Sequence, residues 1–219
     1  MTLLHYQPPT SPYLTILYRD EQLLVVDKPS GLLSVPGKDP AHADSVYTRV
    51  SRVLPDARVV HRLDMATSGI MLLTLGKAAQ SHVARQFQQR QVSKLYTAEV
   101  WGKPPADSGF IDLAMRCDWP NRPRQMLDLV AGKSAQTLYR VIAKTAAQRY
   151  RLQLSPYTGR SHQLRVHMQA LGCAIVGDKF YACADGYAAA PRLHLHATEL
   201  HLHHPLNEQP ISFYCAPPF

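Results

Sequence analysis

Residues 59–74 read VVHRLDMATSGIMLLT. Two apolar stretches, Val59-Val60 and Ile70 to Leu73, bracket a polar segment that closes on the turn-forming Thr67-Ser68-Gly69. That order predicts a strand, a loop and a second strand, so this part of the chain is committed to a sheet. The loop carries a single acid, Asp64, preceded by the basic pair His61 and Arg62. An acid set among cations and apolar strands can be held ionised yet partly desolvated, which suits a nucleophile or a base. The same position also suits an aspartate that caps a turn.

The remainder of the chain is read for what surrounds that loop. Strands are expected over Leu14–Tyr18 and Gln22–Asp27, separated by the Arg19-Asp20-Glu21 turn and stopped by Lys28-Pro29-Ser30-Gly31. A short helix over Asp44–Leu54, started by Asp44 or Ser45, ends before Pro55. Lys77–Gln91 places Ala78, Ala79, Val83 and Phe87 at helical spacing and reads as an amphipathic helix. Ser93–Trp101 alternates, with Tyr96, Ala98 and Val100 on an inward face and Leu95, Thr97 and Glu99 on the other. Further strands are expected over Phe110–Met115, Gln125–Val130, Ala135–Ala143 and Tyr150–Ser155, then a helix over Ser161–Leu171 with Ser161 as its N-cap. Leu193 and Leu195 share one parity and Leu200 and Leu202 the other, which predicts a bulge or bend near Ala197 to Glu199. Strands interleaved with few helices indicate an α+β fold with a mixed, largely antiparallel sheet. The first 13 residues, with Pro8, Pro9 and Pro12, read as an extended arm, and 14–219 as one domain without a linker.

Bulk properties narrow the partner. The 219 residues carry 24 basic and 16 acidic side chains, a net charge of +8 that favours polyanions, nucleic acid first among them. The opening MTLLHYQPPTSPYLTIL lacks a basic region followed by an apolar run, and no window approaches about 18 uncharged apolar residues. A cytoplasmic protein without a membrane segment is expected. Cys117, Cys173, Cys183 and Cys215 form no CxxC pair, so buried reduced thiols are expected rather than a zinc knuckle.

The predicted helix 161–171 brings His162, Arg165 and Gln169 to one face and Leu164, Met168 and Leu171 to another. An arginine in that stripe can pair with a loop carboxylate, and Arg160 and His162 in the first turn can meet phosphate; the bland alternative is a solvated basic face. His194, His196, His201, His203 and His204 invite a metal hypothesis, but the alternating leucines favour a strand whose polar face is histidine-rich, and no metal is expected.

Taken together, HRLD followed by TSG, KPSGL at 28–32, KLYTAEV at 94–100, TGRSHQLRVH at 158–167 and GDKFY at 177–181 resemble the RluA family of pseudouridine synthases, in order and spacing, from about Leu14 to the C-terminus. The resemblance implies a cofactor-independent, metal-free isomerase that breaks the N1-glycosidic bond of a uridine in RNA, rotates the uracil and rejoins it through C5. It implies that Asp64 is the nucleophile, that Tyr96 stacks on the target base and serves as a base or proton relay, that Arg165 pairs with the aspartate, and that Leu164 contributes apolar lining. Flipping a base out of its stack costs a few kcal/mol, and Arg62, planar and adjacent to Asp64, is the residue expected to fill the vacated space. His61 is expected to contact phosphate or stabilise the loop rather than act as a base, Lys28 to meet phosphate or brace the catalytic loop, and Gly177 and Asp178 to shape a turn. With the catalytic region starting near Leu14, no room remains for an N-terminal S4-type RNA-binding domain. For a compact, basic, single-domain chain the resemblance implies structured RNA as substrate, 23S rRNA together with a tRNA anticodon stem-loop, and a monomer is expected. The rival readings are a noncatalytic RNA-binding module of the same fold and a metal-dependent RNA hydrolase built on the C-terminal histidines.

Overall fold

A computed structural model describes residues 6–219. In chain order the strands and helices are β1 (Thr15–Arg19), β2 (Leu23–Lys28), α1 (Val46–Ser51), β3 (Ala57–Val59), β4 (Ser68–Leu75), α2 (Lys77–Gln88), β5 (Ser93–Trp101), β6 (Ser108–Asp112), β7 (Met115–Cys117), β8 (Gln125–Leu127), β9 (Gln136–Ala146), β10 (Arg149–Pro156), α3 (Gln163–Ala170), α4 (Ala184–Ala188), β11 (Leu195–His203) and β12 (Pro210–Tyr214). The fold is α+β with mixed, largely antiparallel pairing, as the alternation implied. No helix of the described residues is long and apolar enough to cross a membrane. The chain forms two compact units whose boundaries fall inside strands: one of residues 6–94 with His196–Pro218, the other of Leu95–Leu195 with Phe219.

The first unit is organised by β4. Every residue from Ser68 to Thr74 is buried, which an apolar run can supply only when both sheet faces are covered. It pairs antiparallel with β2, whose Leu23, Leu24, Val25 and Val26 are equally buried, and parallel with β11 through Ser68 and Gly69. At Gly69 the backbone has φ +107, and an added Cβ would stand 2.3 Å from the carbonyl oxygen of Ala197, so glycine is what lets the two strands approach. α1 starts at Ser45, whose hydroxyl accepts from the Thr48 amide at 3.1 Å. Its Arg49, 3 % exposed, clasps Asp44 and donates to the carbonyls of Pro9 and Tyr13. The arm expected over 1–13 is therefore docked from Tyr6 onward, and its first five residues lie outside the described residues. On α2 the inward face is Ala79, Val83 and Gln86 rather than Ala78. Gln86 is buried because its amide exchanges hydrogen bonds with the backbone of His203, at 2.7 and 2.8 Å, as a neighbouring strand would.

In the second unit β5, β10, β9 and β6 lie side by side in that order, all antiparallel, and β7 and β8 form a separate ribbon. The strand expected over Phe110–Met115 is two: the chain leaves β9 after Asp112, and Met115 opens the ribbon with β8. The strand expected to run to Val130 stops at Leu127, since Asp128 folds a turn by accepting from the amides of Val130 and Ala131. α3 begins at Gln163, not Ser161; its N-cap is His162, in the left-handed region at φ 55. β11 pairs with β12 in unbroken register from Glu199 to His203, beyond the place where a bend is expected. Leu195 to Thr198 are buried on both faces, so a change of parity needs no bend.

Gly69→Ala is expected to destabilise the protein by more than about 3 kcal/mol, combining a strained φ with a backbone clash. Urea unfolding of the variant against the wild-type checks it, and a change within about 0.5 kcal/mol would refute the account.

Candidate active site

The loop that carries Asp64 is held by the segment immediately after β2. Lys28 is fully buried, and its ammonium donates to the carbonyl oxygens of Pro29, Leu32 and Met65 at 2.9, 2.7 and 3.0 Å. The Gly31 amide donates to the same Met65 carbonyl at 2.8 Å. Ser30 donates to the carbonyl of Ala66 at 2.7 Å, while Ser34 donates to the carbonyl of Leu63 and accepts from its amide at 2.7 and 3.0 Å. The backbone is thus pinned on both sides of Asp64, and the Asp64 carbonyl closes the turn by accepting from the Thr67 amide at 3.1 Å. Asp64 itself is half-buried and Arg62 exposed.

These contacts sort the basic residues. Lys28 is enclosed by carbonyl dipoles with no exposed surface, the geometry of a brace and not of a phosphate contact. His61 accepts from the Leu72 amide at 2.9 Å through Nε2, and its ring stacks on Phe87 with centroids 5.1 Å apart. Burial, with the Lys94 ammonium adding to it, pushes its pKa down to about 4. A neutral ring committed to the backbone stabilises the loop and offers no charge to phosphate. The unfolded imidazole binds its proton near 6.5 and the folded one only near 4, so this contribution to stability is full above that window and is lost as pH falls through it.

The second unit holds the other two residues of the expected set. Tyr96 is half-buried on β5, opposite Leu154 of β10, while Thr97 to Val100 are buried on both parities rather than on one. Arg165 is only 3 % exposed, so α3 presents no cationic stripe to solvent. Its guanidinium forms a bidentate pair with Asp178, Nε to Oδ2 and Nη2 to Oδ1, both at 2.7 Å, and lies 5.3 and 5.1 Å from the ring centroids of Phe180 and Tyr181. Asp178, fully buried, also accepts from the amides of Phe180 and Tyr181, so the GDKFY turn is folded around the arginine. Asp178 was expected only to shape a turn; its part in orienting Arg165 is written in the sequence as an acid in a motif that also holds two aromatics. His162 meets the Tyr181 hydroxyl at 2.7 Å through Nδ1, Arg160 is exposed and donates to the Ser134 carbonyl, and Leu164 is buried. Gln163 fixes the approach to α3, accepting from Thr158 Oγ1 and the Arg160 amide and donating to Gln136 and Thr137.

The C-terminal histidines disperse: His194 meets Glu99, His201 meets Glu199 and Ser212, and His204 meets Asp20. They converge on no shared point, whereas His196, beside Ser68, lies near two other ligand-type side chains.

Residues 22–170, which include the clamped Asp64 loop and Arg165, match the family model for RNA pseudouridylate synthase, a class of base-modifying RNA enzymes; the chain belongs to that family. It is 52% identical over 213 residues to the dual-specificity RNA pseudouridine synthase RluA of Salmonella typhimurium, covering 97% of each chain, and 52% identical over the same length to that of Escherichia coli K12. Among solved structures it superposes on human RNA pseudouridylate synthase domain containing 1 with a TM-score of 0.79 at 30% identity, covering 97% of this chain and 87% of that one. For human RNA pseudouridylate synthase domain containing 4 the TM-score is 0.75 at 26% identity.

His61→Gln is expected to flatten the loss of thermal stability between pH 6.5 and 4, since it removes a group that takes up a proton only on unfolding there. Melting curves across that window check it; an unchanged slope would count against a neutral His61.

Proposed function

We propose that this protein isomerises uridine to pseudouridine in structured RNA of more than one class, 23S rRNA and a tRNA anticodon stem-loop, in the cytoplasm. Membership of the family carries the reaction, and the dual specificity named for the relatives at 52% identity supports two RNA classes. Asp64 is the nucleophile: the hydrogen bonds from Lys28, Ser30, Gly31 and Ser34 fix its backbone, which lowers the reorganisation needed when a flipped uridine arrives. Tyr96 stacks on the target base, and Arg165, oriented by Asp178, is the electrostatic partner of the nucleophile. Arg62 stands where the uridine left its stack. As uracil rejoins the ribose through C5, the C5 proton passes to solvent, which makes its release a measure of turnover.

A second surface in the unit of Tyr96 and Arg165 fits an unpaired base. Trp119 is 62 % exposed, with the Arg122 guanidinium 4.0 Å from its ring centroid. Their turn is held by the Asn121 side chain on Asp118 and by paired backbone bonds from Asp118 to Arg124 and from Arg124 to Asn121, all at 3.0 Å. It joins the Arg165 cluster through Tyr181, whose hydroxyl accepts from the Gln125 amide at 2.8 Å. A fixed aromatic plane next to a cation suits stacking of single-stranded RNA.

Asp64→Asn is expected to lower tritium release from C5-labelled uridine RNA by roughly a thousand-fold or more while RNA affinity stays within a few fold. Retained release would reject the assignment and leave the fold as an RNA-binding module. Base stacking of about 1–3 kcal/mol leads to the expectation that Trp119→Ala weakens RNA binding roughly ten-fold, measured by filter binding, with single-turnover release at saturating RNA little changed. Equal affinity of variant and wild-type would remove Trp119 from the interface.

A further inference from the structure

The unit that carries the Asp64 loop also gathers three side chains of metal-ligand type that no strand pattern connects. Asp27 near the end of β2, His196 on β11 and Cys215 just beyond β12 each bring one ligand atom to within 4.8 Å of the other two. Their convergence follows from the sheet. Asp27 is paired with Ile70 and His196 with Ser68, so the two flank β4 at positions two apart, which share a face. The Cys215 amide donates to the Thr198 carbonyl at 2.9 Å and seats the thiol beside β11. His196 is 1 % exposed and Cys215 9 %, while Asp27 is half-buried.

We propose that Asp27, His196 and Cys215 bind a single thiophilic divalent cation of the zinc class, tying β2, β11 and the segment after β12 together independently of the Asp64 chemistry. The donor set of one sulfur, one imidazole nitrogen and one carboxylate oxygen is the one such a cation selects over magnesium or calcium. Bond lengths of about 2.0–2.3 Å in a tetrahedral centre put ligand atoms roughly 3.3–3.8 Å apart, so side-chain adjustments of about 1 Å close the site. Charge also balances: a carboxylate and a thiolate offset a divalent cation beside a neutral imidazole, leaving a buried centre without net charge. The Cys215 carbonyl, 3.2 Å from Nε2 of His196, can only accept, so Nε2 carries the proton and makes the outer contact that orients the ring; Nδ1, 2.9 Å from Ser68 Oγ, is the nitrogen that exchanges that hydroxyl for the cation. Water completes the fourth position on the half-buried Asp27 side.

Binding replaces the sulfur–hydrogen bond of Cys215 by a sulfur–metal bond and releases that proton to solvent. The test is a titration of the full chain, freed of metal by chelation, with Co2+ as spectroscopic probe. The expected result is a thiolate-to-cobalt charge-transfer band that saturates at one equivalent and is displaced by Zn2+. Cys215→Ser should abolish the band, and Asp27→Asn, which keeps the thiol, should weaken binding at least ten-fold. Zn2+ should raise the melting temperature of the wild-type and not of Cys215→Ser. The proposal is overturned if the wild-type gives no band, if the band survives in Cys215→Ser, or if Asp27→Asn binds as the wild-type does. Tritium release by the chelated wild-type and by Cys215→Ser, expected to be equal, separates this result from the fate of the proposed function.

Discussion

The Lys28 ammonium is the interaction on which the Asp64 region rests. A fully buried cation is tolerable only when its hydration is replaced, and three backbone carbonyls supply that replacement. Two of them lie in the turn that follows β2 and the third is Met65, so desolvating one side chain fixes two loops at once. The hydroxyls of Ser30 and Ser34 extend the clamp to Ala66 and Leu63. The loop between β3 and β4 is thereby held as closely as a strand, although it contributes no ladder.

Arg165 repeats the device with a carboxylate in place of the carbonyls. Its guanidinium is buried with a carboxylate that is itself satisfied by two amides, and the surrounding Phe180 and Tyr181 rings keep water from the pair. Breaking such a buried pair by removing one partner costs more than the pair contributes, which keeps Asp178 and Arg165 together. In both units a charge is made rigid by polar atoms of the chain, so the Asp64 loop and the Arg165 guanidinium are in place before RNA binds.

Legibility in the sequence followed from range. The 93–101 strand and the body of α2 were readable because apolar periodicity is local, and HRLD stood out because polar residues interrupt two apolar runs. Lys28 stayed open between phosphate and brace, since its carbonyl partner at Met65 is 37 residues away. The N-terminus of α3 was misplaced because a serine before a helix is a common cap, while here Gln163 satisfies the loop and His162 takes the left-handed turn. The bend in β11 was inferred on the premise that one sheet face is exposed throughout, whereas Leu195 to Thr198 are covered on both. Asp178 was visible as a residue but not as a partner.

The clamp on the Asp64 loop is addressed to main-chain atoms alone. Leu63, Met65 and Ala66 accept through their carbonyls and Leu63 also donates through its amide, whereas Lys28, Ser30 and Ser34 take part through side chains. Substitution is therefore tolerated asymmetrically. The loop can exchange side chains at Met65 and Ala66 while the Asp64 backbone stays where it is; the bracing segment has no such freedom. The surface beside Asp64 can thus vary without moving that acid, as long as three residues of another segment remain unchanged.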